Sequence, residues 1–232
     1  MSGIFSVPAL NGPCETLDGL LLELDRAWAK FETPFGTDDL NVLWNECTDL
    51  DRRFAQWSDS RIVEFQPTVS GSIVRSEYDS DVAVGYWPGR VDTYFDLYCS
   101  SVWNIFRGAR LLLLALIMDL SDRLEKADTC VDYMYIANCT VRDMVASIPY
   151  HLTDNLQNFL NASERGTIER GRSLGGLLLM HPLYVATQIP FFPVKLHEYM
   201  RRCLAWIGSE MGLGHSNLLA EVRSINNTNF FL

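Results

Sequence analysis

Residues 177–222 read LLLMHPLYVATQIPFFPVKLHEYMRRCLAWIGSEMGLGHSNLLAEV, and their spacing predicts two amphipathic helices folded back on each other. Apolar residues recur at three- and four-residue steps on both sides of the proline-punctuated turn at 190–193, the period of a helix with one buried face. That face carries Leu178, Leu183, Tyr184, Leu196, Met200, Leu204, Trp206 and Ile207. The first helix starts near Ser173 and stops around Pro190. The second runs from about 193 to 211, with Pro193 in the first turn, where a missing backbone donor is harmless, and Gly212 as the C-terminal cap. A short helix holds 218–222. The stretch carries no nucleophile, metal cluster or phosphate loop, so it predicts architecture and names no chemistry.

Upstream the same period recurs. Leu17, Leu20, Leu21, Leu24, Trp28 and Phe31 make one helix face. After the break Thr33-Pro34-Phe35-Gly36, Thr37 or Asp38 is placed to cap a second helix striped by Leu40, Leu43, Trp44, Cys47, Leu50, Phe54 and Trp57. Between Ser58 and Pro88 the period is lost, which predicts an irregular connection at about 58–90 with room for a short helix or strand. A long helix follows at about 91–125, with a spine of Tyr94, Leu97, Tyr98, Val102, Ile105, Phe106, Ala109, Leu113, Leu116 and Leu120. Its run LLLLALIM at 111–118 is too short to span a bilayer and reads as a buried segment. Another helix runs from about 129 to 148 and ends at Pro149, and 155–171 is a polar surface excursion. The expected fold is all-α: a single domain over 1–232, about seven helices around a long buried central one.

Composition limits function. With 48% hydrophobic residues the chain is too rich in core-formers for disorder, and its formal net charge of -10 argues against a free-standing nucleic-acid binder. The densest basic pairs, Arg52-Arg53 and Arg201-Arg202, lie in amphipathic patterns and read as solvated faces. The six cysteines, Cys14, Cys47, Cys99, Cys130, Cys139 and Cys203, include no C-x-x-C pair and read as reduced, buried thiols, not as a zinc site or a disulfide framework. MSGIFSVPALNG has no signal-peptide pattern, so an intracellular location is expected, and the glycosylation-like triplets at Asn138, Asn161 and Asn226 are coincidental.

Three blocks carry a resemblance. The first is Trp87-Pro88-Gly89, then Tyr94-Phe95-Asp96-Leu97, then Val102-Trp103-Asn104-Ile105-Phe106-Arg107-Gly108-Ala109-Arg110-Leu111. The second is Ala146-Ser147-Ile148-Pro149-Tyr150-His151-Leu152. The third joins Pro182-Leu183-Tyr184-Val185-Ala186, Trp206-Ile207-Gly208, Gly212-Leu213-Gly214 and Leu218-Leu219-Ala220. In order and spacing they resemble the C-terminal regulatory domain of fungal zinc binuclear-cluster transcription factors. The resemblance implies an all-α regulatory domain that transmits signals, binds protein partners as homo- or hetero-dimers and senses small molecules. It implies a nuclear or cytoplasmic setting and a role in secondary metabolism. The family's DNA-binding module needs six clustered cysteines on a short basic segment. The cysteines here are dispersed, so no direct nucleic-acid contact is expected, and no membrane.

Several residue groups suggest chemistry. Gly171-Arg172-Ser173-Leu174-Gly175 matches the G-x-S-x-G elbow but lacks the preceding strand, so Ser173 reads as a helix cap or first-turn residue. Asp38-Asp39 and the Asp79, Asp81 pair read as a helix cap and a solvated loop, not as magnesium ligands. Arg107 and Arg110 sit inside an apolar helix without an acidic residue three or four positions away, so they need partners from another helix, from backbone carbonyls or from an anionic ligand. The ligand-pocket candidates are Trp103, Asn104, Arg107, Arg110, His151, His181 and Tyr184, with no metal, no cofactor and no catalytic group assigned. An apolar small molecule is the expected ligand. The alternative is a stand-alone enzyme on the same scaffold, cyclising a terpenoid or polyketide intermediate in an aromatic cavity. A further reading is a remnant that titrates a full-length relative by dimerisation.

Overall fold

A computed structural model describes residues 15–33, 36–74, 82–161 and 168–222. Cys14, Pro34, Phe35, Asp79, Asp81, Asn226 and the N-terminal MSGIFSVPALNG lie outside the described residues. Eight α-helices and one small sheet are described: α1 (Leu17–Phe31), α2 (Thr37–Asp59), β1 (Thr68–Ile73), β2 (Gly89–Thr93), α3 (Leu97–Arg123), α4 (Ala127–Leu152), α5 (Leu156–Asn161), α6 (Ser173–Gln188), α7 (Val194–Glu210) and α8 (His215–Glu221).

The all-α expectation holds, with α3 at the centre. Helices α1, α2, α4 and α6 all pack on it, and α7 and α8 complete the layer behind α6. Buried residues occur on nearly every side of α3, including the consecutive Leu111, Leu112, Leu113 and Leu114. Each such leucine contributes about 2 kcal/mol when fully withdrawn from water. By length and composition this helix could cross a membrane, but 78% of its most apolar window is buried within the fold, which accounts for its character. The helix starts where Asp96 accepts a hydrogen bond from the Cys99 amide at 2.7 Å.

The boundaries differ from expectation in four places. The long helix begins at Leu97, because 89–93 forms β2 and pairs antiparallel with β1. The connection at about 58–90, which in sequence leaves room for a short helix or strand, holds a turn of 3-10 helix at Val63–Phe65 and β1, and β2 extends past its expected end to Thr93. A bulge between Val69 and Gly71 bends the ribbon. Arg90 fastens it to α4 by bonding both Asp92, at 2.7 Å, and Asp143, at 2.8 Å. Helix α4 does not stop before Pro149 but runs through it to Leu152. A proline near the last turn removes one backbone donor. The turn survives because His151 and Leu152 are buried against the neighbouring helices and Thr153 bonds the Pro149 carbonyl through both its amide and its hydroxyl. The excursion at 155–171 contains α5, whose Phe159 stacks on Tyr86 at 4.5 Å in a small second core under the ribbon.

Smaller corrections follow from packing. The second helix is capped by Gly36, whose amide donates to Asp39, and not by Thr37 or Asp38. On the hairpin, Leu179 and Tyr199 are fully buried, while Leu178 and Trp206 are half-buried. Gly212 sits at φ 74° just past α7, the left-handed position that a helix-ending glycine supplies. Tyr98 and Ile105, placed in the spine of the long helix by sequence, face outward. Of the thiols expected to be buried, Cys47, Cys99 and Cys203 are, but Cys139 is exposed. Arg53 is not a freely solvated residue. It is gripped by Glu15, just ahead of α1, and Glu23 of α1.

Candidate functional site

The polar candidates separate into two neighbouring regions that share one residue, Asn104. The first is a closed network inside the junction of α3, α4 and α6. Ser100, Asn104 and Arg107 lie along one face of α3, and Ser147 and His151 lie four residues apart on the facing side of α4. Asn104 Nδ2 donates to Ser147 Oγ at 2.9 Å and to His151 Nε2 at 3.1 Å. Ser147 gives its one proton to the Met144 carbonyl at 2.6 Å and is left to accept. Ser100 Oγ approaches the same His151 nitrogen at 2.7 Å, and His151 Nδ1 reaches the Gly175 carbonyl of α6 at 3.1 Å. The carbonyl can only accept, so Nδ1 carries the proton and Nε2 receives both neighbours. Burial holds the His151 pKa down at about 4, so the ring is neutral and fully engaged.

Arg107 closes the network. It is 3% exposed, and one guanidinium nitrogen donates to Tyr94 Oη at 2.8 Å and to Asn104 Oδ1 at 2.9 Å. Its charge lies over the faces of Trp103 and Tyr94. It also offsets in part the rise that burial imposes on the Asp92 pKa. Gly175 is the close contact of the junction. A Cβ there would stand 1.9 Å from the His151 carbonyl oxygen, so the α4–α6 crossing requires glycine. Gly171 has the same role against the Thr153 backbone, at 2.7 Å, and Ser173 begins α6 and bonds the Met211 carbonyl. The G-x-S-x-G pattern is therefore a packing motif.

The second region is a cleft of about 590 Å³ between α1, α3 and α6. Leu21 and Leu22 of α1, Ile105, Gly108, Ala109 and Leu112 of α3, and Pro182 and Val185 of α6 line it. Asn104 reaches its wall, and Asp18, Asp25 and His181 add polar groups. Leu22 and Ile105 are 59% and 42% exposed, large apolar side chains left at the opening. His181 is exposed as a residue, yet the protein around its ring lowers its pKa.

The remaining candidates belong elsewhere. Arg110 pairs with Asp51 of α2 at 2.8 Å, the interhelical partner its setting demands. Trp103 packs edge-on to Trp57 and Phe106 and donates its indole N–H to the Phe65 carbonyl at 2.7 Å. Tyr184 is buried in the main core and does not line the cleft. Burial raises the Cys47 and Cys203 thiols to about 12, which leaves them un-ionised and unreactive. Sequence reasoning passed over Ser100, Tyr94 Oη and Asp51 as partners. The spacing of Ser100, Asn104 and Arg107 along an apolar helix was the available signal. The cleft residues of α1 also shared a face at 18, 21, 22 and 25, but leucines at helical spacing gave no sign that this face stays open.

No protein-family model matches the chain, and no solved structure matches it. The chain is 39% identical over 240 residues to Transcription factor dbaG of Emericella nidulans, an alignment that takes in 99% of this chain and 57% of that protein. The chain thus spans little more than half the length of the relative it matches, and along almost its whole extent it is related to a fungal transcription factor.

Proposed function

We propose that this chain is a regulatory, effector-type domain of a transcription regulator, acting through protein partners and a small apolar ligand and not by gripping DNA itself. The observation that carries the reading is the 39% identity to a protein named a transcription factor, sustained over 99% of the chain. The resemblance of the three sequence blocks supports reading the domain type as a zinc-cluster-factor regulatory region. The charge balance supports the absence of intrinsic DNA binding. The chain carries a net -10, and Arg52, Arg53, Arg90, Arg110 and Arg123 are each paired with a carboxylate. Phosphate recognition needs basic side chains left free to replace counterions. On this reading the protein works inside the cell, in the nucleus or between nucleus and cytoplasm, as a homo- or hetero-dimer, in a pathway of secondary metabolism.

The enzyme alternative gains no observation of its own. Ser100 and His151 are in hydrogen-bond contact, but they are 0% and 2% exposed, so a substrate has no access to them. Fusing the chain to an unrelated DNA-binding module upstream of a reporter in a fungal host tests the proposal. The fusion is expected to change transcription several-fold, while the purified chain fails to retard duplex DNA at physiological salt. A silent fusion, or tight DNA binding by the chain alone, would contradict it.

A further inference from the structure

The cleft between α1, α3 and α6 is a gap in the packing of three helices. Its lining residues Leu112 and Val185 are buried, while Leu22 and Ile105 stand open across a hollow of about 590 Å³ among the described residues. That size lies within the range of small-ligand sites, on the order of 300–1,000 Å³. Gly108, on the side of α3 that faces Pro182, has no side chain to fill the hollow. Asp18 and Asp25, on the α1 side, take part in no ion pair among the described residues. A ligand here meets apolar walls and, on the α1 side, the exposed carboxylates of Asp18 and Asp25 two helical turns apart, in a chain whose net charge of -10 repels anions.

We infer that this cleft binds a small, rigid apolar molecule ending in hydroxyl groups, whose O–H donors meet the Asp18 and Asp25 carboxylates and the His181 ring, and that it rejects the corresponding carboxylic acids. The apolar body lies between Leu22, Ile105 and Val185. Its inner edge rests on Asn104, which belongs to the buried network and joins the cleft to α4 through Ser147 and His151. The inference deepens the regulatory reading by naming the ligand class and the site. Binding is measured on the isolated chain and regulation with the reporter fusion, so the failure of one is distinct from the failure of the other.

Nile red, an uncharged apolar fluorophore, titrates the site directly. The chain is expected to bind it saturably, and Leu22→Glu/Ile105→Glu to weaken it by about tenfold or more, since the dye must then desolvate charge at the opening. Leu22 is 59% and Ile105 42% exposed, so helical circular dichroism should be unchanged. On the unmodified chain, which needs no variant to fold, naphthol is expected to displace the dye and naphthoic acid to fail at the same concentration. Asp18→Asn/Asp25→Asn should let the acid compete. Dye affinity untouched by the glutamates, or naphthoic acid competing as well as naphthol, overturns the assignment. So does a lack of saturable dye binding when the glutamate pair still abolishes a contact with a partner protein, which would give the cleft to a helix of that partner.

Discussion

The junction of α3, α4 and α6 and the cleft between α1, α3 and α6 are a few side chains apart and share Asn104, yet they are built on opposite terms. The junction collects residues that look like chemistry in the sequence, a buried arginine, a histidine and an asparagine, and adds two serines, and its hydrogen bonds join them to one another or to nearby carbonyls and Tyr94. The cleft is lined mostly by residues that look like core, and leaves two of them, Leu22 and Ile105, exposed. A polar cluster that satisfies itself holds helices at one crossing. An apolar surface that no other described residue covers is where a second molecule gains by binding.

The contrast can be broken most sharply with glycine. Gly175→Ala forces a methyl group to within 1.9 Å of the His151 carbonyl, so the α4–α6 crossing must separate. A loss of about 4 kcal/mol or more is expected in urea unfolding, at the upper end of single substitutions. Next, Asn104→Leu leaves the His151 Nε2, the Ser147 hydroxyl and Arg107 without their shared partner, and should lower stability by about 3 kcal/mol, with a fall in melting temperature that Leu22→Glu does not produce.

The pH dependence sharpens the same point. Unfolded His151 protonates near 6.5 and the folded ring only near 4, so the unfolded chain binds more protons between those values. The folded state therefore loses stability as pH falls through that window, by about 3 kcal/mol in total, and is indifferent to this group above it. His151→Gln should remove that slope. The difference between the two unfolding curves against pH is the measurement, because His181 and His197 are also depressed and add slope of the same sign in both proteins. The smallest effect belongs to the cleft. A Cβ at Gly108 finds its nearest neighbour at 3.8 Å, so Gly108→Ala should fold as well as the parent or gain up to about 1 kcal/mol of helix stability.

The architecture was largely legible because its signals are local. Leucine periodicity placed α1, α2, α6 and α7, and Pro193 and Gly212 marked the two ends of α7. What was missed depends on tertiary contact. The strand at 89–93 has too few residues to show a period, and it exists because β1 pairs with it and α4 packs against it. Pro149 should end a helix by local rules, and the burial of His151 overrides that. At the site, the isolation of Arg107 and Arg110 in an apolar helix was readable, and the demand for a partner followed from it. Which partner each finds was not readable: Asp51 is 59 residues away in the chain, and Tyr94 lies outside the helix. The cleft was invisible for a simpler reason. Ile105 has the same spacing as its buried neighbours and Leu22 falls beside the apolar stripe of α1, and only the packing of three helices places the two across one hollow.

The most direct test of the account joins its two claims, a regulatory chain and an open cleft that receives its ligand. The chain fused to an unrelated DNA-binding module is compared with the same fusion carrying Leu22→Glu/Ile105→Glu, at equal protein level, on one reporter. The account predicts a several-fold change in transcription from the parent fusion and loss of that change in the cleft variant. A reporter that ignores the parent fusion, or that responds equally to both, would contradict it.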